Sequence, residues 1–467
     1  MGEGGCKMSF ETVKKAATEV ALDRAVQYVT KDPERNVFSM IDFAERVATR
    51  PEHKESIARL REHFKTHPNV LEQAKRLSKN PKMLSKFMIN WVANNILVGK
   101  DVREDLAREL GVSVPNLILI DPTSACNLRC EGCWAGEYKK ADTIEPELFN
   151  RILNEAKELG IYWIVLSGGE PFMYKPLLDV VAEHPDMGFM CYTNGTLIDE
   201  KTADCLAEVA NFSPAFSLEG WREQTDARRG KGVFDKVMRS MDLLRERGVF
   251  FGTSLTATRY NIDTLFSDEF IDFLVDKGAV YCWSFHYVPV GREPNVDLMV
   301  TPEQRAWLAE RVPQLRTEKP ILIADFWNDG EATRGCIAGG RIYFHINAAC
   351  EVEPCAFAHF AADNIRHKSL REVLQNPLFK AYQKRQPFCQ NHLAPCPIID
   401  NPQALRDMVV ESGAHPTHTG AETVLSGEVG AHLDGLSARW HKEADKVKAC
   451  REEMKQREVK EYARARQ

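Results

Sequence analysis

The sequence predicts a mixed α/β fold: a parallel sheet of six strands wrapped by helices, preceded by an all-helical extension and followed by a small cysteine-rich domain. Three observations lead to this prediction. Helical periodicity runs from about residue 9 to residue 112, short apolar runs then alternate with amphipathic helices from about 115, and a second group of cysteines begins at Cys336. At 467 residues the chain is too long for one core, so we expect several domains.

The all-helical extension is assigned to residues 1–114. Apolar side chains recur there every three or four positions, as at Met40, Phe43 and Val47, and prolines interrupt the pattern between helices. No run in this part of the sequence has the pattern of a strand. The other boundaries place the barrel at 115–318, the cysteine-rich domain at 319–404 and a charged helical tail at 405–467.

Six apolar runs are the predicted strands of the barrel: 116–120, 162–166, 188–193, 214–218, 250–256 and 280–286. The clearest helix follows the first run, at 146–159, where Leu148, Ile152, Ala156 and Leu159 lie on one face. Parallel strands that are joined by helices end at a common rim, and ligands bind at that rim. The residues that follow each strand are therefore the first candidates for function.

The composition excludes several classes of protein. Charged residues make up 27% and hydrophobic residues 44%, which is typical of globular domains. The net charge of −6 argues against nucleic-acid binding through a basic surface. No signal sequence or apolar run long enough to cross a membrane is visible, so we expect a cytoplasmic protein. In that compartment the 13 cysteines are expected to be cofactor ligands and core thiols rather than disulfides.

Three cysteines, Cys126, Cys130 and Cys133, lie on one loop directly after the first predicted strand. Thiolates at this spacing can hold three irons of a [4Fe–4S] cube and leave the fourth iron without a protein ligand. A zinc knuckle is the alternative, but zinc sites usually pair two Cys-x2–4-Cys units, and no fourth ligand lies nearby. Three unrelated free thiols are the remaining alternative. An open iron can bind a small molecule, so the spacing favours an enzyme.

The Cys-x3-Cys-x2-Cys loop resembles the signature of the radical S-adenosylmethionine (SAM) superfamily. The resemblance implies that the open iron binds SAM and that one electron, from a flavodoxin or ferredoxin, cleaves SAM to a 5′-deoxyadenosyl radical. That radical abstracts hydrogen from an unactivated carbon. The family's fold is a partial (β/α)6 barrel, which matches the strand count. In the family an aromatic residue usually precedes the third cysteine. In this sequence Gly132 occupies that position and Trp134 follows the cysteine, so the sequence does not identify the side chain that packs beside the adenine.

Further motifs follow the next strands at the same rim. The run Ser167–Pro171, Ser-Gly-Gly-Glu-Pro, resembles the superfamily's second motif, which holds the SAM amino group. The ends of the third and fourth strands supply groups for the ribose and carboxylate of SAM, and the resemblance adds an arginine as carboxylate partner. Ordinary turn chemistry is the alternative for each residue alone. The residues assigned to SAM binding are Gly168, Gly169, Glu170, Thr193, Asn194, Ser217 and Arg229.

A second group of cysteines lies beyond the barrel. The run that begins at Cys336 and ends at Cys355 resembles the opening of the SPASM/twitch domains found in one branch of the superfamily. The resemblance implies that Cys336, Cys355 and Cys396 hold an auxiliary [4Fe–4S] cluster and that Cys389 completes the set. Cys350 takes the place of the family's turn glycine and is interpreted as an extra. Structural zinc and unconnected thiols are the alternatives.

Two loops near the end of the barrel, Tyr287–Arg292 and Asp325–Glu331, are candidates for substrate contact, with a packed loop as the alternative. Two histidines on predicted strands, His286 and His345, are interpreted as structural, because no acid or metal partner is visible in the sequence.

The sequence leaves three hypotheses about the function, of which the first two differ in the substrate. A lipid or other alkyl chain is the first, because Lys82–Gly99 carries apolar residues at helical spacing beside lysines and can make peripheral contact with a membrane. A core-facing helix is the alternative for that stretch. A peptide-modifying maturase is the second hypothesis, although the extension lacks the strands of a winged-helix leader-binding domain. A non-catalytic iron–sulfur electron carrier is the third, and the missing fourth ligand argues against it.

Overall fold

The computed structural model describes residues 10–47 and 51–465. Its centre is a nine-stranded sheet with the order β7-β6-β5-β4-β3-β2-β1-β8-β9, and β10 and β11 form a separate pair. The strands are β1 Ile118–Ile120, β2 Trp163–Leu166, β3 Gly188–Thr193, β4 Phe212–Leu218, β5 Gly252–Ala257, β6 Tyr281–His286, β7 Leu322–Asp325, β8 His345–Ile346, β9 Val352–Glu353, β10 Phe360–Ala361 and β11 His415–Pro416.

The first seven strands are parallel, and each pairs with its neighbour in the sequence. All six predicted strands are confirmed, and β7 extends the sheet at the β6 edge. At the other edge β8 runs parallel to β1, and β9 then pairs with β8 in the antiparallel direction. The sheet therefore continues past residue 318 and joins the barrel to the cysteine-rich segment.

Alternate residues of each strand enter different cores, as the twofold repeat of a strand requires. Ile118 and Ile120 belong to the core under the outer helices, whereas Leu119 between them faces a second core inside the barrel. The helices that follow the strands are α7 Pro146–Glu158, α8 Leu177–Glu183, α9 Glu200–Val209, α10 Arg222–Arg229, α11 Val233–Glu246, α12 Ile262–Leu265, α13 Asp268–Lys277 and α14 Pro302–Glu318.

The extension is helical throughout its described part. It contains α1 Phe10–Lys31, α2 Pro33–Val47, α3 Pro51–Thr66, α4 Pro68–Ser78, α5 Pro81–Phe87, a π-helix Met88–Val98 and α6 Gly99–Leu110. Its later helices cover the base of the barrel, where amide and guanidinium groups donate to backbone carbonyls that precede the strands. Asn90 donates to the carbonyl of Met187 at 2.8 Å, Asn80 to Gly248 at 2.8 Å, and Arg76 to Ala279 at 2.9 Å.

The stretch Lys82–Gly99 is part of this base, which supports the core-facing alternative over membrane contact. Phe87 stacks on Trp91 with ring centroids 5.1 Å apart, and both pack edge-on against Trp163 of β2. The amine of Lys82 donates to the carbonyl of Glu208 at 2.5 Å and that of Lys86 to the carbonyl of Pro185 at 3.1 Å. Phe87, Lys82 and Lys86 are therefore engaged with the barrel, whereas Trp91, Leu97 and Val98 remain 37%, 58% and 40% exposed.

The remaining helices surround the second cysteine group. They are α15 Gly330–Thr333, α16 Leu370–Val373, α17 Pro377–Arg385, α18 Pro402–Ser412 and α19 Gly427–Ala465. The predicted charged tail is mostly helical but also contains β11, and the first half of α19 packs on α14 through Trp440, which is 1% exposed. Among the described helices, none is both long and apolar enough to span a bilayer.

Candidate active site

The three cysteines of the first loop line one large cavity at the carboxyl ends of the strands. The empty space of this cavity, measured up to its open mouth, is about 1410 Å³. Six of the seven residues assigned to SAM binding line the same cavity: Gly168, Gly169, Thr193, Asn194, Ser217 and Arg229. The sheet therefore brings together residues that are separated by up to about a hundred positions in the sequence, at the rim where ligands bind in such folds.

The Gly-Gly motif after β2 braces the cysteine loop directly. The backbone N–H of Gly169 donates to the carbonyl of Thr123 at 3.0 Å, and that of Glu170 donates to Ala125 at 2.7 Å. A Cβ atom at Gly169 would lie 2.1 Å from the carbonyl oxygen of Ala125, and Gly168 has a φ of +104°. Only glycine allows this approach, so the motif shapes the loop as well as lining the cavity.

Glu170 does not line the cavity, which differs from the expected contact with a bound amino group. Its carboxylate is fully buried and accepts hydrogen bonds from the Thr193 hydroxyl at 2.7 Å and the Asn194 backbone N–H at 2.7 Å. Burial raises the pKa of Glu170 to about 6, although these hydrogen bonds oppose the rise. In this structure Glu170 therefore holds the loop after β3 against the loop after β2.

Arg229 lines the cavity, but its guanidinium is paired within the protein. Glu219, which is 1% exposed, accepts from Arg229 Nη2 at 2.6 Å and from Arg228 Nη1 at 2.7 Å. Arg228 also donates to the carbonyl of Glu131 on the cysteine loop at 3.1 Å. The two arginines thus connect the end of β4 to the cysteine loop, and the carboxylate of Glu219 pairs with both guanidinium groups.

The space beside Gly132, where the superfamily usually has an aromatic residue, is taken by Tyr287. A Cβ atom at Gly132 would lie 2.6 Å from the Tyr287 ring. The loop that begins with Tyr287 is also hydrogen-bonded to the cysteine loop. The backbone N–H of Arg292 donates to the carbonyl of Cys133 at 3.0 Å, and its guanidinium donates to the carbonyl of Gly136 at 3.0 Å. The predicted contact loop after β6 is therefore packed against the cysteines from the opposite side of the barrel.

The chemistry of the first loop fits an iron–sulfur cube better than a single ion. Within residues 10–47 and 51–465, no three His, Cys, Asp or Glu side chains converge closely enough to hold one metal ion. In a cube each thiolate binds a different iron, so its ligands stand further apart. Burial raises the pKa of the Cys126 thiol to about 11, and metal binding is what would make such a buried thiol a stable thiolate.

A second cavity lies beside the first and is lined by Cys336, Cys355 and Cys396. Its empty space is about 790 Å³. The two cavities share a wall of mainly aromatic residues: Trp283, Phe326, Ile337, Tyr343 and Phe357. The second group of cysteines is thus one side-chain layer away from the cavity that the first group lines.

The donors around the second cavity fit an anionic cluster. The Tyr343 hydroxyl donates to the Cys355 sulfur at 2.9 Å. The indole N–H of Trp327 and the hydroxyl of Tyr382 line the same cavity, are buried, and have no hydrogen-bond partner in the protein. Buried donors nearly always find an acceptor, and the sulfurs of an iron–sulfur cluster are such acceptors.

The structure does not bring Cys389 into this set. Its thiol lies against α19, with the sulfur 3.9 Å from His441 Nδ1, and it does not line the second cavity. The fourth-ligand role of Cys389 therefore has no geometric support here. Cys350 is also separate: it is fully buried in the core beneath the outer helices, as expected for an extra thiol.

A buried ionic triad joins the cysteine-rich segment to the barrel. His345 on β8 lies between Asp121, 3.0 Å away at the end of β1, and Glu353, 2.6 Å away on β9, and all three are at most 1% exposed. Burial alone lowers the pKa of His345, but the two carboxylates outweigh it and raise that pKa to about 10. The expectation of a structural histidine is confirmed in this respect, because the imidazolium holds β8 and β9 beside the cysteine loop.

The walls of the large cavity are mostly apolar. Its inner part is lined by strand residues that face the barrel interior: Leu117, Leu119, Trp163, Val165, Met190, Tyr192, Trp283 and Phe285. Among the described residues that line it, Arg228 and Arg229 are the charged side chains, and both pair with Glu219. The cavity suits a molecule with an uncharged, apolar portion.

Sequence reasoning missed several of these residues. Glu219 follows β4 in the run Ser-Leu-Glu-Gly. Its position directly after a strand is the feature of the sequence that could have identified it. Tyr343 and Trp327 lie in the aromatic runs on either side of Cys336, but no pattern shows which of them faces a thiol. His286 was interpreted as structural, yet it lines the large cavity, is 1% exposed and has no hydrogen-bond partner on either ring nitrogen.

Comparison with known proteins gives consistent results. The family model of the radical SAM superfamily matches residues 120–272. The chain is 30% identical over 278 residues to the mycofactocin maturase MftC of Mycolicibacterium smegmatis, which covers 55% of this chain and 69% of that protein. It is 30% identical over 227 residues to the Fe-coproporphyrin III synthase of Methanosarcina barkeri, which covers 46% of this chain and 56% of that protein. The chain thus spans just over half of the latter.

Solved structures show the same fold. SuiB of Streptococcus suis, in crystals with S-adenosylmethionine and with the precursor peptide SuiA, superposes with TM-scores of 0.53 and 0.52 at 17% identity. These matches cover 64% and 65% of this chain and 76% and 72% of SuiB. At this identity the likeness concerns the arrangement of the elements, not the substrate.

Proposed function

Because the chain belongs to the radical SAM superfamily, we propose that it is a maturase that modifies an uncharged part of a peptide or peptide-derived precursor, with the help of an auxiliary cluster. The observation that carries this proposal is the pair of adjoining cavities, each lined by three cysteines and separated by one aromatic layer. Family membership implies a [4Fe–4S] cluster and SAM. When bound, they supply a 5′-deoxyadenosyl radical that abstracts hydrogen from carbon.

The roles of the chain's own residues follow from their positions. Cys126, Cys130 and Cys133 would hold the first cluster, and the backbone around Gly168 and Gly169 would receive the SAM amino group. Thr193, Asn194 and Ser217 offer hydrogen bonds at the same rim. The surrounding apolar walls exclude water from the reacting carbon, which protects a reactive species from side reactions.

Arg229 is proposed as the partner of the SAM carboxylate. In the protein alone Glu219 pairs with it, and Arg228 shares the same carboxylate oxygen. If Arg229 turns toward a bound carboxylate, Arg228 remains to balance Glu219, so no buried charge is left alone. The two adjacent arginines therefore allow one to exchange partners.

The auxiliary cluster is proposed to lie on Cys336, Cys355 and Cys396. These thiols lie behind Trp283, Tyr343 and Phe357, next to the large cavity. A cluster held there would supply an electron acceptor for the substrate or help to orient it. An external flavodoxin or ferredoxin is the proposed donor to the first cluster.

Two features favour a peptide-derived substrate over the alternatives. The relative MftC is named as a mycofactocin maturase, which matches the second hypothesis from the sequence. A porphyrin with several carboxylates would need further cations, because Arg229 is assigned to the SAM carboxylate and Arg228 then balances Glu219. The lipid hypothesis has less support, because one face of Lys82–Gly99 packs on the barrel base, although Ile96, Leu97 and Val98 stay exposed.

The direct test is anaerobic reconstitution with iron, sulfide, SAM and dithionite. We expect 5′-deoxyadenosine to form, and we expect its formation to depend on Cys126. Two clusters without cleavage of SAM would indicate the electron-carrier alternative instead. Short peptides encoded beside the gene would then be tried as substrates, with mass spectrometry to detect loss of hydrogen or new bonds, and lipid and porphyrin extracts as comparison.

A further inference from the structure

Ser254 and Thr256 of β5 are uncharged polar side chains on the wall of the large cavity, outside the set assigned to SAM. Both line the cavity; Ser254 is 9% exposed and Thr256 is half-buried. Within residues 10–47 and 51–465 neither hydroxyl has a hydrogen-bond partner, and neither is among the side-chain oxygens that are sealed from solvent. Polar groups inside proteins are normally paired, so both hydroxyls are available to a molecule in the cavity.

The alternation of the strand turns both side chains toward the barrel interior. Leu255 and Ala257, which alternate with them along β5, belong to the core under the outer helices. Successive residues of a strand point to opposite faces of the sheet, so Ser254 and Thr256 face the cavity that they line. The sheet fixes their backbone, and the branched side chain of Thr256 has few rotamers. The two hydroxyls are therefore pre-organised for a ligand.

Aromatic rings of β6 stand beside the two hydroxyls. In the register of the sheet Trp283 is the partner of Ser254, and Phe285 is the partner of Thr256. Both rings line the cavity, and they stack with centroids 6.1 Å apart and planes 12° from parallel. Hydroxyls beside a flat apolar wall suit a neutral polar group that is attached to an apolar body.

The chemistry of this part of the wall selects an uncharged acceptor. Each hydroxyl can donate one hydrogen bond, and a carbonyl oxygen has two lone pairs with which to accept from both. A carboxylate at Ser254 and Thr256 would lose hydration beside the aromatic wall. Among the described residues that line the cavity, the charged side chains are Arg228 and Arg229, and both pair with Glu219. No further cation on this wall would compensate a buried carboxylate.

The position of the hydroxyls favours substrate over SAM. The side chains assigned to SAM follow β2, β3 and β4, and Ser217 of β4 is the partner of Ser254 in the register. The next strand in the sheet is β5, and neighbouring strands lie about 4.8 Å apart. A group held by Ser254 and Thr256 would therefore lie next to SAM without competing for Ser217.

We propose that Ser254 and Thr256 form a substrate-binding pair that holds an uncharged carbonyl group of the substrate, with the adjoining apolar portion against Trp283 and Phe285. The inference rests on the proposed function and deepens it, because it names the group by which the substrate is recognised beside SAM. An amide, ketone or ester carbonyl meets this requirement, whereas a carboxylate does not.

Three small probes test the inference on the reconstituted full-length protein with SAM. Benzamide carries a neutral carbonyl, benzoate carries a carboxylate, and toluene has the same ring without a polar group. Ligand-observed NMR under anaerobic conditions measures their dissociation constants. We expect benzamide to bind at least about tenfold more tightly than benzoate. Equal binding of these two probes, preference for benzoate, or no detectable binding of benzamide would overturn the inference.

Two variants make the test specific to the hydroxyls. Ser254→Ala and Thr256→Val each remove one hydroxyl with little change of shape, and each should weaken benzamide binding about fivefold. Toluene binding should stay within about twofold, which also shows that the variants are folded. If both variants bind benzamide as well as the unmodified protein, the two side chains only fill space and the inference is wrong.

The matched control lies on the same strand. Thr253 is fully buried and alternates with Ser254, so its side chain lies on the opposite face of the sheet. Thr253→Val makes the same chemical change as Thr256→Val but away from the cavity. It should leave the binding of benzamide and toluene within about twofold of the unmodified protein. An equal loss of benzamide binding in both threonine variants would contradict a direct contact.

Binding of SAM separates this inference from an enlarged SAM site. Equilibrium dialysis with labelled SAM, without a probe, should give dissociation constants for Ser254→Ala and Thr256→Val within about twofold of the unmodified protein. A large loss of SAM affinity with unchanged benzamide binding would assign the hydroxyls to SAM and overturn the inference.

Failure of this inference can also be told apart from failure of the proposed function. Formation of 5′-deoxyadenosine by the unmodified protein, without added substrate, reports the first cluster and SAM alone. If the protein cleaves SAM but does not prefer benzamide, only the role of Ser254 and Thr256 is wrong. If it does not cleave SAM at all, the proposed function fails whatever the probes do.

Discussion

The two cysteine sites use the same kind of ligand but are assembled in opposite ways. Cys126, Cys130 and Cys133 lie within eight residues on one loop, whereas Cys336, Cys355 and Cys396 come from three separate segments that meet only in the folded protein. The spacing of the first three thiols is set within one loop, which the loops after β2, β4 and β6 support, whereas the second three meet only through contacts between distant elements. We therefore expect distant mutations to disturb the second set of ligands more than the first.

The strongest test of this contrast removes one ligand from the local site. Cys126→Ala should reduce formation of 5′-deoxyadenosine to background, because a cube with two thiolate ligands is not retained as a SAM-binding cluster. The measurement is product analysis together with electron paramagnetic resonance of the reduced protein. Cys450→Ala, at an exposed thiol of α19, is the control and should behave like the unmodified protein.

Removing a ligand from the dispersed site should separate the two clusters. Cys336→Ala should lower the iron content by the amount of one cluster and abolish substrate modification, while SAM cleavage continues. Cys389→Ala should keep both clusters, because its thiol lies outside the second cavity. If Cys389→Ala loses the iron of the auxiliary cluster, Cys389 binds that iron, and the assignment of only Cys336, Cys355 and Cys396 as ligands is wrong.

The dispersed site should also depend on a distant ion pair. Arg305 on α14 and Asp400 form a pair that is at most 4% exposed, and Asp400 also accepts the backbone N–H of Cys396 at 3.0 Å. Arg305→Leu leaves a buried carboxylate without its partner and should lower the free energy of unfolding by about 3–5 kcal/mol. The iron content of the auxiliary cluster should fall together with the stability, whereas cleavage of SAM should persist at low temperature.

The matched control for this ion pair lies on the same helix. Arg311 pairs with Asp268, whose side chain is 58% exposed, so Arg311→Leu should cost less than about 1 kcal/mol. Urea unfolding of both variants checks the comparison. Equal effects of the two substitutions would show that burial of the Arg305 pair does not stabilise the second site.

The smallest predicted effect concerns the hydrogen bond to Cys355. Tyr343→Phe removes a donor that favours the more negative, reduced state of the auxiliary cluster, so its reduction potential should fall. A bond worth about 1.4 kcal/mol corresponds to about 59 mV for one electron. A spectroscopic redox titration measures the shift, and Tyr281→Phe, which loses a hydroxyl bonded to Ser213, should leave the potential unchanged.

Much of the barrel was accessible to prediction because its strands are short apolar runs between amphipathic helices. All six predicted strands occur within two residues of their expected ends. The seventh, Leu322–Asp325, was missed because four residues with one exposed leucine carry little pattern. The two-residue strands β8 and β9 carry even less pattern, and the buried ion pairs of His345 with Glu353 and with the distant Asp121 are visible only in the folded protein.

The candidate site likewise contains some features that the sequence could predict and others that depend on tertiary contacts. The grouping of Cys126, Cys130 and Cys133 at one cavity was predictable because the three residues share one loop. The surroundings of Glu170 and His286 were not: Glu170 turns away from the cavity to hold Thr193 and Asn194, and the ring of His286 stacks on Trp327 with both nitrogens buried and unpaired. Which way a side chain turns depends on neighbours that are distant in the chain.

Local order along the chain was therefore enough to establish the α/β class, the iron–sulfur loop and the superfamily. The wall shared by the two cavities, the covering of the barrel base by Lys82–Gly99, the exclusion of Cys389 from the second trio and the unpaired ring of His286 appear only after folding. The physical reason is that spacing and periodicity record interactions between near neighbours, whereas burial, charge pairing and shared cavities arise from long-range contacts.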